Sequence, residues 1–292
     1  MTGCARFAVP PKRTSRYWKT KTLLCTEANP TSIPRMTTKL FETIYRQALP
    51  ALECRRIKDV RIGLGLVAVE LDDGALAVSY VLRDELSPGC GVMPIEQPLR
   101  GMDAKEMAAW TFEYDNPLLT SLGVAVLNSV VDHTEIEHRS RDDFLTLLQP
   151  DDQVGMVGLI EPMVNPIQRI TARKLYIFDR SREGSTDVYP ETRQKDLLPH
   201  CDVIFITGTA TINHTLDSLL AYASNAREII LIGTSTPLYP DAFRATAVTQ
   251  LAGSLWPKTN RDAIFTLVGE GRGIKSLMRY GTKVTIKVPK SK

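Results

Sequence analysis

The sequence contains no apolar run close to the roughly 20 residues that a bilayer-spanning helix needs, so no transmembrane helix and no membrane partner are predicted. Its five cysteines are scattered, odd in number and form no Cys-x-x-Cys pair, which speaks against a disulfide framework and a zinc knuckle. A reducing, cytoplasmic location is therefore expected. The chain also has no Ser-His-Asp order, no P-loop and no His-Glu-x-x-His motif, so no single chemistry is indicated.

The charge of the chain is unevenly distributed. The 36 basic and 33 acidic residues give a net charge of +3, but residues 1–35 contain seven of the basic residues and one acid. After residue 35 there remain 29 basic and 32 acidic residues, a net charge of −3. The basic isoelectric point therefore gives no reason to expect a nucleic-acid partner. Residues 1–35 have no apolar periodicity and are interpreted as a disordered or non-native N-terminal extension.

The segment 36–146 is predicted to form a small α+β domain. Near its start, apolar residues four positions apart indicate an amphipathic helix. Two β-rich stretches, Val60–Leu71 and Ala75–Val81, are joined by an Asp-Gly turn and predict a β-hairpin. Asp103 and Pro117 are typical of the first positions of two further helices.

The segment 147–280 is predicted to form a Rossmann-like domain. Four short β-branched apolar runs are separated by stretches long enough for a helix: Gln153–Gly158, Lys174–Phe178, Asp202–Thr207 and Glu228–Gly233. This spacing predicts βαβ units in a parallel sheet flanked by helices, and the fold class is α/β. Residues 281–292 are interpreted as a basic tail. In such a sheet, ligands bind outside the carboxyl ends of the strands, where the strand order reverses.

The stretch after the first predicted strand, Gly158–Pro166, is expected to be a loop at this ligand-binding edge. It lacks the Gly-x-Gly-x-x-Gly motif, so an ordinary NAD or FAD site is not expected. Gly158, Glu161 and Asn165 are nevertheless candidate ligand residues. Asp179 follows the second strand, where a ribose-binding acid would lie. The alternative is that Asp179 and Arg180 only solvate a surface loop.

The third and fourth predicted strands both end in a loop of glycine and small hydroxyl residues. The candidate ligand-binding residues are Thr207, Gly208, Thr209 and Asn213 in the first loop, and Gly233, Thr234, Ser235 and Thr236 in the second. This is more polarity than a helix cap needs, which favours a functional role. The two loops are expected to converge on one crevice, and Gly253 is a candidate to close it.

Three other positions are weaker candidates. His133 and Glu137 would share one helix face and could bind a metal ion, but polar stretches of this kind are usually solvated. Cys90 could bind a soft metal ion as a thiolate, yet it has no partner cysteine nearby. His214 lies in the first Gly-Thr loop and could be functional there, or simply occupy the first turn of a helix.

The run LLPHCDVIFITGTATINHTLDSLLAYASNAREIILIGTSTPLYPDAF resembles the core of the putative heavy-metal chelation domain family, through TGTxxxNxT and GTSTPLxP. The earlier RIGLGLVAVEL and NPLLTSLGVAVLNSV are similar to that family's partner domain, which is enolase-N-terminal-like. The resemblance covers residues 37–275 in the expected order. It implies two domains with a cleft between them, and the first motif places Asn213 and Thr215 beside that cleft. Thr234 departs from the pattern, because proline is common there in relatives.

The resemblance implies a small-ligand or metal-binding protein, with its site in the interdomain cleft at the strand ends. The oxygen atoms of the two loops favour a divalent metal ion such as Mg²⁺, or an oxyanion, over a soft heavy metal. The alternative is an enzyme that binds a nucleotide-like or phosphate-bearing ligand on the two loops, with Glu161 or His214 as acid or base. The expected partner is a small molecule or a metal ion. Catalysis and oligomeric state are left open, and a homodimer is compatible with the sequence.

Overall fold

The computed structural model describes residues 36–86, 91–132 and 141–290. These residues belong to one compact unit. Within these ranges, no helix combines the length and the apolar character that a membrane crossing requires. The unit contains two β-sheets, one of three strands and one of seven.

The three-stranded sheet is antiparallel, in the order β1-β2-β3, with β1 at Ile57–Ile62, β2 at Leu66–Leu71 and β3 at Leu76–Tyr80. The predicted single stretch Val60–Leu71 is therefore two strands, which corrects the two-stranded hairpin. The chain reverses at Gly63–Gly65, where the Gly63 amide donates to the Leu66 carbonyl. A Cβ on Gly63 would lie 2.2 Å from the Val268 carbonyl oxygen, so only glycine fits at this reversal.

Three helices pack with this sheet: α1 at Met36–Leu52, α2 at Ala104–Glu113 and α3 at Pro117–Ser129. The predicted starts of α2 and α3 are confirmed. The Asp103 carboxylate accepts from the Lys105 amide, and the Asn116 side chain accepts from the first amides of α3. From Leu118 onward α3 is buried on all sides, as its mostly apolar sequence predicts.

The seven-stranded sheet has the order β10-β9-β8-β7-β4-β5-β6. Its strands are β4 at Val154–Val157, β5 at Tyr176–Phe178, β6 at Val188–Tyr189, β7 at Val203–Thr207, β8 at Glu228–Ile232, β9 at Gln250–Leu255 and β10 at Thr282–Lys287. All neighbours run parallel except β10, which is antiparallel to β9. The four predicted strands are confirmed as β4, β5, β7 and β8, within a few residues at their ends.

The structure corrects the interpretation of residues 281–292 as a basic tail. Thr282–Lys287 forms the edge strand β10, in which Val284 and Ile286 are buried while Lys283 and Lys287 are exposed. Thr285, between Val284 and Ile286, is buried as well, so the strand period appears in the polar–apolar order of the residues and not in their burial. The lysines reflect an exposed sheet edge, where charge discourages further strand pairing.

Five helices accompany the large sheet: α4 at Glu161–Ile170, α5 at Gln194–Leu197, α6 at Leu216–Tyr222, α7 at Arg261–Gly269 and α8 at Ile274–Leu277. The fold is therefore of the α/β class, with a mostly parallel sheet flanked by helices and a smaller antiparallel sheet. Taken in chain order, the six parallel strands follow the 3-2-1-4-5-6 pattern of the Rossmann fold. The strand order reverses between β4 and β7.

The three-stranded sheet and α3 cover the carboxyl edge of the large sheet. One buried apolar cluster includes Val69 of β2 and Leu122 of α3 together with Ile204 of β7 and Leu231 of β8. The division near residue 146 that the sequence predicts thus falls between two parts that share a continuous core. Any crevice at the carboxyl edge is bounded by both of them.

Candidate functional site

The reversal in strand order places Gly158 of the β4 end directly against Thr207 of the β7 end. Gly158 has φ +81°, and a Cβ built on it would lie 2.8 Å from the Thr207 Cβ. A left-handed backbone and this close contact both require glycine. The single glycine of the loop therefore lets two strand ends approach each other at the position where Rossmann-type folds bind their ligands.

The predicted loop Gly158–Pro166 is mostly helical, which corrects that expectation. Helix α4 begins at Glu161, and Pro162 lies in its first turn, where a missing amide hydrogen costs nothing. The Glu161 carboxylate lies 2.8 Å from the Arg182 guanidinium in an exposed ion pair. Asn165 is exposed one turn after Glu161 on α4, outside the hydrogen bonds that connect the strand ends.

Asp179 forms hydrogen bonds with the loops that follow β4 and β5. One of its carboxylate oxygens accepts from the Leu159 amide at 2.8 Å. The other accepts from the Ser181 amide at 3.0 Å and the Ser181 hydroxyl at 2.6 Å. Both oxygens are engaged by the protein, so a ribose hydroxyl would have to share them. The observed contacts give Asp179 a structural role, because it links the loops that follow β4 and β5.

The loop after β7 presents hydroxyl and amide groups at the same edge. Thr207 caps a short 3₁₀ turn, and its Oγ1 lies 3.1 Å from the Thr209 Oγ1. Both residues are half-buried rather than enclosed. The Asn213 amide hydrogen donates to the Thr209 carbonyl, which holds Asn213 above the two threonines.

Glu85, which the sequence did not single out, contacts the predicted residues at this edge. It lies in a 3₁₀ turn after β3, and its Oε1 accepts from Asn213 Nδ2 at 2.9 Å and from Arg180 Nη1 at 2.7 Å. Arg180 also bonds to Glu191, and this hydrogen bond is the main cause that raises the pKa of the guanidinium. No local sequence pattern identifies Glu85, because its partners are 95 and 128 residues away in the sequence.

These contacts close a ring around the switch point, which we call the strand-end cluster. It runs from Gly158 to Thr207 and Thr209, on to Asn213 and Glu85, and returns through Arg180 and Asp179. The ring holds two carboxylates, one guanidinium, one carboxamide and two hydroxyls. All of them lie at the carboxyl edge between the two sheets.

The second predicted loop lies in a different environment. Thr234, Ser235 and Thr236 are at most 3% exposed. The Thr234 hydroxyl donates to the Val78 carbonyl at 3.1 Å, and Ser235 Oγ accepts from the Tyr80 amide at 2.8 Å. Thr234 and Ser235 therefore join the end of β8 to the three-stranded sheet, and the Thr236 carbonyl accepts from Asn128 of α3.

The two Gly-Thr loops meet, but by direct packing. A Cβ on Gly208 would lie 2.6 Å from the Thr236 amide nitrogen and 2.7 Å from its hydroxyl. Gly233 has φ +135°, which turns the second loop toward the first. Gly208 thus makes room for the neighbouring loop. Gly253 acts similarly inside β9, where a Cβ would lie 2.8 Å from the Leu238 side chain.

The described residues do not fit a soft metal ion held by side chains alone. They contain no group of three or more His, Cys, Asp or Glu side chains arranged to hold an ion. Cys54 is exposed at the end of α1, and burial raises the pKa of the Cys201 thiol to about 12. Cys90 and the stretch 133–138 lie outside the described residues. The donors of the strand-end cluster are hard oxygen atoms.

The fold and the cluster define a class of protein: a two-sheet α/β protein with Rossmann-type strand order and a cluster of polar side chains at its switch point. Two family models match the chain, and both are described as putative heavy-metal chelation: DUF364 over residues 143–287 and DUF4213 over residues 45–131. The chain belongs to this family.

Three similar proteins are described by name as uncharacterized or of unknown function. An uncharacterized protein of Methanocaldococcus jannaschii is 33% identical over 138 residues, which are 46% of this chain and 53% of that protein. The match therefore spans about half the length of this curated relative. A DUF364 structure of unknown function from Pyrococcus horikoshii has a TM-score of 0.72 and 24% identity, over 87% of this chain and all of the other. One from Desulfitobacterium hafniense has a TM-score of 0.69 and 24% identity, over 85% and 98%.

Proposed function

We propose that the protein binds a small polar ligand, or a metal ion carried by such a ligand, at the strand-end cluster. The observation that supports this most is Glu85, which crosses from the three-stranded sheet to Asn213 and Arg180 at the switch point. A charged side chain that joins two parts of a molecule above a strand-order reversal is placed to sense what binds there.

The chemistry of the cluster supports a ligand rich in oxygen atoms. Thr207 and Thr209 offer hydroxyls, Asn213 a carboxamide, and Arg180 a cation that can pair with a carboxylate or phosphate. The carboxylate of Glu85 favours a hard cation beside that anion. A complex of a divalent metal ion with a small oxygen-donor molecule would use both charges, which connects the family's description with the hard donors of this chain.

The first test is native mass spectrometry with elemental analysis, followed by calorimetric titration of Mg²⁺, Mn²⁺, Zn²⁺ and Ni²⁺, each with and without citrate. We expect saturable binding of at least one metal–citrate pair, weakened tenfold or more by Asn213→Ala and by Glu85→Gln. Tenfold corresponds to about 1.4 kcal/mol of binding free energy, as expected for loss of a charge-assisted hydrogen bond.

The matched control is Asp241→Asn, because Asp241 forms an exposed ion pair with Arg244 away from the cluster. This variant should bind like the parent protein. Circular dichroism would establish that all variants are folded. Equal binding by the parent, Glu85→Gln and Asn213→Ala proteins would overturn the proposal.

The second candidate is an enzyme that holds a nucleotide-like or phosphate-bearing ligand on the same edge. The Rossmann strand order and the acid at the end of β5 favour it. The occupied carboxylate of Asp179 and the buried second loop weigh against it. A thermal-shift panel of NAD, FAD, ATP and S-adenosylmethionine separates the candidates, because a nucleotide at 100 times its Kd would stabilise the fold by about 2.7 kcal/mol.

A further inference from the structure

A cavity of about 350 Å³ lies between the two sheets, apart from the strand-end cluster. Leu76 of β3 and Asn128 and Ser129 of α3 line one side, and Leu255, Trp256 and Lys258 at the end of β9 line the other. In the sheet, β9 is three strands from β4, or about 14 Å at the usual strand spacing. None of the residues that the sequence predicts as ligand-binding lines this cavity.

The polar side chains of the α3 wall are already satisfied by the protein. Asn128 Nδ2 donates to the Thr236 carbonyl at 2.9 Å, and its Oδ1 accepts from the Leu238 amide at 3.2 Å. The Ser129 hydroxyl donates to the Val126 carbonyl at 2.7 Å. The remaining walls are largely apolar, so the interior suits an apolar body rather than a sugar or a hydrated ion.

The mouth of the cavity carries a positive charge. Lys258 Nζ donates to the Asp73 carbonyl at 2.8 Å and lies 3.6 Å from the Asp73 carboxylate. That carboxylate also pairs closely with Arg55. One carboxylate thus faces two cations, and the side chain of Lys258 is 60% exposed. An anionic group at the mouth would balance this excess charge.

We propose that this cavity is a second binding site, for a small molecule with a ring-sized apolar body and one anionic group. The apolar body would lie between Leu76 and Trp256, and the anion would approach Lys258. The cavity volume is at the lower end of the range of known ligand pockets, which limits the body to one or two fused rings. This site does not rest on the function proposed for the strand-end cluster.

The test uses the full chain and a matched pair of probes. They are 1-naphthalenesulfonate and naphthalene, which has the same two fused rings without the sulfonate. We expect one sulfonate probe per chain, and a shift of the Trp256 indole N–H signal in NMR, assigned with Trp256→Phe. Lys258→Met should weaken sulfonate binding about tenfold and leave the neutral probe unchanged, because only the charged contact is lost.

Two variants control the location. Ala75→Leu adds bulk to the cavity wall and should abolish binding of both probes. Lys275→Met removes an exposed lysine elsewhere and should have no effect. If Ala75→Leu fails to fold, the Trp256 signal decides alone. Absence of one-to-one binding, an unmoved Trp256 signal, or full binding by a folded Ala75→Leu protein would overturn the proposal.

Discussion

The two Gly-Thr loops have similar residues but different surroundings. Thr207 and Thr209 are half-buried at the switch point, whereas Ser235 and Thr236 are completely buried beneath β3 and α3. The difference arises because β8 ends under the three-stranded sheet and β7 ends beside it. At the scale of single residues, the composition of a loop identifies a polar strand end. It does not distinguish a hydroxyl group that could bind a ligand from one that joins two sheets.

Gly208 offers a direct test of the packed contact between these loops. We expect Gly208→Ala to lower the free energy of unfolding by about 3 kcal/mol, because its methyl group would collide with the backbone of Thr236. Urea denaturation measures the change. The control is Gly65→Ala, where an added Cβ meets nothing within 4 Å and the change should stay within about 1 kcal/mol. A tolerated alanine at position 208 would mean that the loops are less tightly packed.

At the scale of elements, Arg261 links α7 to the three-stranded sheet. Arg261 donates to Glu70 of β2 at 2.9 Å and to Asp59 of β1. Both carboxylates are less than a tenth exposed. The Arg261 guanidinium also stacks on Phe265, with 4.2 Å from its central carbon to the ring centroid. Because Phe265 lies one turn further along α7 itself, this stacking supports the side chain of Arg261, and the ion pairs with Glu70 and Asp59 link the helix to the sheet.

Arg261→Met should lower the free energy of unfolding by about 3 kcal/mol, since it leaves two buried carboxylates without their shared partner. Lys58 remains beside Glu70, and Arg61 remains beside Asp59. Each carboxylate therefore keeps one cation, which limits the loss of stability. Adding Glu70→Gln to Arg261→Met should restore part of the stability. Arg244→Met is the exposed control, with a change within about 0.5 kcal/mol. A loss no larger than this control would show that water solvates the carboxylates.

The sequence predicted most elements of the large sheet, because buried parallel strands are continuous β-branched runs. It missed the break at Gly63–Gly65, since VRIGLGLVAVEL is mostly apolar and glycine alone does not identify a chain reversal. It missed α4, because Pro162 and Pro166 suggested a loop. For β10, the alternation of polar Lys283, Thr285 and Lys287 with apolar Val284 and Ile286 was a usable strand signal, but the local excess of lysine obscured it.

At the scale of the whole molecule, the site depends on how the first part covers the carboxyl edge of the large sheet. Asn213 and Thr207 could be predicted, because they follow a strand that the sequence reveals. Glu85 and the lining of the cavity could not, because they are brought there by contacts between residues about 100 or more positions apart. Local patterns carry no information about such contacts. The sequence therefore predicts the polar residues that the large sheet contributes, but not those that the first part of the chain contributes.

The shared core also predicts how the molecule unfolds. Val69 of β2 and Ile204 of β7 belong to one buried cluster, so neither sheet can open without exposing apolar surface of the other. We expect hydrogen exchange to give the slowest amides of β2 and β7 the same opening free energy, within about 1 kcal/mol. Leu122→Ala in the buried helix α3 should lower both by the same amount, about 3 kcal/mol, whereas Leu64→Ser at an exposed turn should lower neither. If β2 opened at a clearly lower free energy than β7, the two parts would be separate folding units, and the cleft between them would be an interface that can open as a whole.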